Sequence, residues 1–170
     1  MGNIKRKTIE GWIDKAWNQL QVASEHLKLR RYSEAIEAAQ ECIELSVKSV
    51  LSLLDIKYSP KHGWIHDSKE FAEIARQIQD RQLLDKLAEH NLAYMVRLPR
   101  LLFLMNFWAQ FYIVAKYGFE IEYLASARDL FGEEEAKLAI EHAKECYYAA
   151  WQLRCLNEDK LAALIPTYSS

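Results

Sequence analysis

A chain of 170 residues has the length of one domain, and 51% apolar content against 27% charged residues supplies both a core and a wetted surface. Five Gly and three Pro leave eight punctuating residues, where average usage would give about twenty, too few for the closely spaced turns of a sandwich or barrel. A net charge of −2 excludes a histone-like basic nucleic-acid binder.

Every glycine stands singly, so no phosphate loop follows a strand. The expectation is all-α: an antiparallel up-and-down bundle of four to five main helices, one domain over residues 1–170 with its core at about 8–156. In the first helix Ile9, Ile13, Ala16, Leu20, Ala23 and Leu27 recur at steps of three and four, with Trp12 and Trp17 widening the stripe. Thr8 is its expected cap, and Arg30 and Arg31 suit the negative end of its dipole. A second helix is expected after Tyr32, capped by Ser33, with Ile36, Ala39, Ile43, Leu45, Val47, Val50, Leu51 and Leu54 as its apolar set. Equal lengths and a short linker predict an antiparallel hairpin of these two.

Pro60 and Gly63 break the pattern. Asp67 or Ser68 then caps a helix carrying Phe71, Ile74, Ala75 and Ile78, and Asp80 a short one with Leu83, Leu84 and Leu87. Pro99 suits the first turn of a helix that Gly118 ends. Residues 101–115 of that helix are apolar apart from Asn106 and Gln110, so it is expected either at the centre of the bundle or in a dimer interface. It is too short and too interrupted for a membrane span. The last long helix follows Gly132, opens on Glu133, Glu134 and Glu135, and turns Leu138, Ala139, His142, Ala143, Cys146, Ala150 and Leu153 inward. One or two further turns are expected between Asn157 and Pro166.

Few residues suggest chemistry. His62 and His66, with Asp67, have the spacing of half a metal site, but Pro60 and Gly63 make the stretch a loop and no third ligand follows; no metal is expected. His26, His90 and His142 stand alone on helices and read as packed or surface residues. Arg97 and Arg100 flank Pro99 at a helix N-terminus, where free N–H groups and two guanidinium groups could hold a phosphate, or pair with acids elsewhere. Gln40, Glu44 and Lys48 form an i, i+4, i+8 row, which as a bare ion pair contributes only about 0.2–0.5 kcal/mol. Phe107, Trp108, Phe111, Tyr112 and Tyr117 could stack bases, though on an apolar helix they read as core. Cys42, Cys146 and Cys155 are odd in number without paired spacing, which points to a reduced, cytoplasmic setting. No apolar leader follows the basic start, no cofactor motif is present, and none is expected. Residues 1–32 hold seven Lys or Arg against three acids, a local excess that a partner, a nucleic acid or solubility alone would explain.

The row Ala38-Ala39-Gln40-Glu41-Cys42-Ile43-Glu44-Leu45-Ser46-Val47-Lys48 resembles the Gln-x3-Glu-x3-Lys helix of HEPN (higher eukaryotes and prokaryotes nucleotide-binding) domains. Tyr32-Ser33-Glu34-Ala35 is similar to that family's turn between its first two helices, and His62 and His66 fall where it often has a histidine. Ala115-Lys116-Tyr117-Gly118 resembles its Ala-Arg-Tyr element with lysine for arginine, and Glu134-Glu135-Ala136 its closing helix. A tetratricopeptide unit is a weaker likeness, because nothing repeats 34 residues beyond Tyr32 and Ala35.

The HEPN resemblance implies a four- or five-helix bundle that dimerises. It also implies one of several roles: a nucleotide-binding or partner-binding module beside a separately encoded nucleotidyltransferase, or a metal-independent RNase of a toxin–antitoxin pair. The RNase motif, Arg-x4–6-His, does not occur; Arg81 and His90, the nearest pair, have eight residues between them. The expectation is a non-catalytic module, with no action on RNA, and a plain helical interaction scaffold as the other alternative. If a nucleotide binds, the expected groove uses Lys48, Arg97, Arg100, Lys116 and Tyr117. Arg97 and Lys116 lie at opposite ends of one helix, so assembling the full set would require an antiparallel partner helix.

Overall fold

The structure, a computed structural model, describes residues 3–59, 67–117 and 127–165, and they form helices joined by turns and irregular stretches such as 56–59. Helix α1 runs Asn3–Lys28 and α2 Tyr32–Leu53. Helices α3 (Ser68–Asp80) and α4 (Leu83–Glu89) are short, α5 spans Leu98–Tyr117, and α6 (Ala127–Leu130) is a single turn. Helix α7 covers Glu133–Arg154 and α8 Glu158–Leu164. Pro60, His62, Gly63, His66, Gly118 and Pro166, each given a role above, lie outside the described residues.

Four long helices alternate in direction. Lys5 meets Asp55 at 3.2 Å and Lys15 meets Glu41 at 2.6 Å, which makes α1 and α2 the expected antiparallel hairpin. The Arg154 carbonyl accepts from Arg6 at 2.9 Å, and seven residues earlier Tyr147 meets Trp17 with ring centres 5.2 Å apart, so α7 is also antiparallel to α1. Helices α2 and α7 therefore run parallel, side by side. Helix α5 opposes both, with Arg100 against Glu145, Trp108 against His142 and Lys116 against Glu37.

The centre belongs to α2, which packs against α1, α5 and α7. Its sequence permits three neighbours because much of its surface is small: Ala35, Ala38, Ala39, Ser46, Ser49 and Ser52 are buried beside Ile36, Ile43, Val50 and Leu51. Ala136, Ala139, Ala143, Ala149 and Ala150 are the buried small residues of α7. Backbones so clad approach closely, and the Cys42 thiol lies 3.8 Å from the Ala143 carbonyl. The buried hydroxyls add no unmet donor at Ser49, which bonds back to the Leu45 carbonyl at 2.7 Å.

Several boundaries differ from expectation, each for a local reason. Helix α1 begins five residues before Thr8, because Lys5, Arg6 and Lys7 propagate a helix well and Arg6 pairs with Glu10 one turn on. The α1–α2 turn is made by Arg30 at φ 56°, with the Arg31 N–H returning to the His26 carbonyl at 2.9 Å, so α2 starts at Tyr32 without a side-chain cap from Ser33. Asp67 does cap α3, accepting from the Lys69 N–H at 2.9 Å. Asp80 ends α3 and pairs with Arg76 instead of capping α4; Gln82, at φ 51°, precedes that helix. On α7, Leu138 is exposed, and Ile140 and Tyr147 are buried. The stripe is centred on Ala139, Ala143, Cys146 and Ala150, and position 138 lies about 100° round the helix from 139. Gly132 opens α7 as expected, its N–H donating to Glu135 at 2.8 Å, and Asn157 caps α8.

Helix α5 is an outer helix, not the central one. Leu98, Leu101, Leu104, Met105 and Trp108 face inward, while Phe103 and Phe107 are 63% and 36% exposed. Apolar content alone could not distinguish the two positions; the small side chains of α2 decide it.

Candidate functional site

The five residues expected around a nucleotide occupy separate places on the chain. Arg97 is exposed ahead of α5. Arg100 is committed to the bundle: its guanidinium forks onto both carboxylate oxygens of Glu145, the second bond being 3.0 Å, and that hydrogen bond holds its pKa above the usual arginine value. Lys116 stands at the other end of α5, sixteen residues and about 24 Å away. Its ammonium lies 3.2 Å from the Tyr112 hydroxyl, 3.9 Å from Glu37 and 5.5 Å from the Tyr112 ring centre. Tyr117 is the last residue of α5. Lys48 sits near the far end of α2, paired with Glu44 one turn back as the row predicts. No single face collects all five.

Lys48 does open onto a cleft. The space is about 670 Å³, bounded by Lys5 and Trp12 of α1, Leu45, Lys48 and Ser52 of α2, and the irregular exit from Asp55 to Ser59. Its residues arrive there by helix register. The antiparallel pairing that sets Lys5 beside Asp55 advances seven residues along α1 to Trp12 and seven back along α2 to Lys48. Ile56 is buried on its floor. The Tyr58 hydroxyl meets Ser52 at 2.9 Å, and burial pushes the phenol's pKa up. Lys57 is anchored through its main chain: its N–H donates to the Gln77 side-chain oxygen and its carbonyl accepts from the Gln77 amide, both at 2.8 Å. Lys57 itself is exposed and borders both this cleft and the depression over α3.

A second concavity has different chemistry. Between α3, α4 and α5 lies a groove of about 640 Å³ lined by Phe71, Ala75, Ile78, Leu84, Leu102 and Phe103, with Asp85 as its one charged residue. Phe103 and Phe107, ring centres 6.1 Å apart, stand as a ridge along α5 beside it.

The lone histidines and the buried cysteines show structural surroundings. His142 accepts from the Trp108 indole N–H at 2.9 Å through Nδ1, so its ring is neutral; burial first, then Arg100, lowers its pKa. His90 is exposed at the end of α4. Arg81 points its guanidinium at three carbonyls, Leu54 at 2.6 Å, Leu164 at 3.1 Å and Asp55 at 3.3 Å, tying the end of α2 to α8. Burial pushes the Cys42 thiol to about 12 and the Cys146 thiol well above its ordinary value, so neither is a nucleophile at neutral pH. Among the described residues no three His, Cys, Asp or Glu gather as a metal site, and no helix is long and apolar enough to cross a membrane.

Lys5, Lys57 and Tyr58 are not singled out by the sequence, and Trp12 is read there only as part of the first helix's apolar stripe. The signal that would have found them is the hairpin register itself, since it places the basic start of α1 opposite the end of α2.

No curated protein and no solved structure matches the chain significantly. The sequence model of the HEPN domain family matches residues 9–150, from the first turns of α1 nearly to the end of α7. The matched stretch contains all four long helices of the bundle apart from their outer ends, and the chain belongs to the HEPN domain family.

Proposed function

We propose that the chain is a non-catalytic binding module: a homodimer that holds a nucleotide and acts with a separately encoded nucleotidyltransferase. The observation that carries this reading is the use of Arg81 and His90. They have the closest approach to the spacing of the family's RNase motif, yet the Arg81 guanidinium is spent on the carbonyls of Leu54, Asp55 and Leu164, and His90 faces water beyond α4. A guanidinium so occupied cannot clamp a scissile phosphate without unlocking α8.

Self-association is supported by the outer side of α5. The Phe103–Phe107 ridge and the α3–α4–α5 groove lie side by side on one surface, so two copies related by a two-fold axis can each seat a ridge in the other's groove. Light scattering should give twice 19.9 kDa at micromolar concentration. Phe103→Asp should give a monomer with unchanged helical circular dichroism. A wild-type monomer refutes the dimer.

The catalytic question is settled by incubating labelled RNA with the pure protein, which should leave it intact. Cleavage that disappears in His90→Ala overturns the non-catalytic reading. For the partnership, co-expression with a nucleotidyltransferase encoded beside the gene should give co-elution, and separate elution refutes it.

A further inference from the structure

The cleft at the α1–α2 end points to a specific ligand chemistry. We infer that it binds a nucleoside phosphate, with Trp12 and Tyr58 against the ring and Lys5, Lys48 and Lys57 toward the phosphates. The inference rests on the nucleotide-binding reading above and gives it a location, one that shares only Lys48 with the groove expected from sequence.

Four observations lead there. The first is size, since about 670 Å³ lies within the roughly 300–1,000 Å³ typical of small-molecule sites. The second is the wall. Trp12, Leu45, Ile56 and Tyr58 present apolar and aromatic surface, more than a bare anion would use. The third is charge. Among the described residues three ammonium groups border the space, while Asp55 pairs with Lys5 and Glu44 backs Lys48, leaving one positive charge in excess. Lys57, held through its main chain by Gln77, supplies that excess at the rim. The fourth is the hydroxyl pair of Ser52 and Tyr58, which can each donate to or accept from polar edges of a ring or sugar.

The other concavities lack this combination. Among the described residues the α3–α4–α5 groove borders no cation, and it carries Asp85. The depression over α3 sets Asp55, Glu70 and Glu73 against Lys57 and Arg81, so carboxylates outnumber cations along its described wall. The one at the α1–α2 turn, about 350 Å³, sets Arg30 and Arg31 beside Glu34, with Tyr32 as its one aromatic wall among the described residues. Lys5 also gives the basic excess of residues 1–32 a use, because the start of α1 forms one side of the cleft.

Titration calorimetry on the full chain tests this with ATP, GTP, adenosine and tripolyphosphate as separate probes. ATP or GTP should bind, and adenosine and tripolyphosphate should each bind at least ten-fold more weakly, since each lacks half of the contacts. Lys57→Glu leaves the packing intact and should weaken ATP at least five-fold. Trp12→Phe keeps a ring in the core and should weaken it less than Trp12→Ala does. Lys116→Glu, at the opposite end of the bundle, should leave this affinity unchanged.

Absence of ATP and GTP binding at millimolar concentration overturns both the nucleotide reading and the site. ATP binding that Lys57→Glu and Trp12→Ala leave unchanged overturns the site alone, and loss in Lys116→Glu instead moves the nucleotide to that end. Tripolyphosphate binding as tightly as ATP refutes ring recognition and reduces the cleft to an anion site.

Discussion

Replacing Arg81 by Met removes one cation from the joint between α2, α3 and α8 while keeping its aliphatic bulk. The guanidinium donates to the carbonyls of Leu54, Asp55 and Leu164, and the first two are end-of-helix acceptors with no further N–H ahead of them. A hydrogen bond from a charged donor contributes about 1.5–3 kcal/mol. Three bonds from one part-buried group do not add, because water re-solvates some of the freed carbonyls. The loss is about 3 kcal/mol in total. In a domain of this size each kcal/mol moves the midpoint by about 2–4 °C, so Arg81→Met should melt about 6–12 °C lower. Lys in place of Arg keeps the charge but not the fork, and should recover less than half of the loss. Circular dichroism melts measure the shift, and limited proteolysis should show α8 cut first. A midpoint within about 2 °C of the wild type would refute the claim that this guanidinium holds the joint.

Protonation of His142 removes the acceptor for Trp108, and its folded pKa is lowered, so the unfolded chain binds the proton more readily. Stability from this residue is complete above about pH 6.5 and is lost as pH falls through the lowered folded value. Arg100, Glu145 and Glu141 are the charges that act on it. His142→Asn keeps an acceptor without titrating, so its urea midpoint should fall less than the wild type's between pH 7.5 and 5; equal falls would exclude the mechanism. Ala143→Leu forces three carbons toward Cys42 across the parallel α2–α7 contact and should cost at least about 1–3 kcal/mol in urea unfolding. An unchanged midpoint would show that the gap is looser than described. Of the three thiols, only Cys155 is exposed. One equivalent should react quickly with a disulfide reagent in the native state and all three in denaturant; three fast equivalents would contradict the burial of Cys42 and Cys146.

The bundle was legible because its stripes are strictly periodic. Ile9, Ile13, Ala16, Leu20 and Ala23 are all buried as the spacing requires. The helix ends were less legible, since Arg30, Gln82 and Asn91 adopt left-handed conformations where a glycine would have announced the turn. The place of α5 was hidden for another reason. A helix rich in Leu and Phe looks more central than one rich in Ala and Ser, but only the latter can accept three neighbours. At the candidate site, Lys48 was visible through its row with Gln40 and Glu44, whereas Trp12 read as part of an apolar stripe and Tyr58 lies in the stretch after α2 where no periodicity marks a residue. Arg100 showed its position but not its partner, because Glu145 is 45 residues away in sequence.

The parallel α2–α7 contact also constrains how the chain can be made. Parallel neighbours cannot be joined by a tight turn, and here 101 residues separate Cys42 from Ala143. The α1–α2 hairpin is synthesised before α7 and can form from local contacts, but its Ala- and Ser-rich flank has no cover from α7 until that helix is made. Between those two points of translation the nascent protein carries an unsealed seam. The helix that ends as the most enclosed part of the molecule is the one that waits longest for its last neighbour.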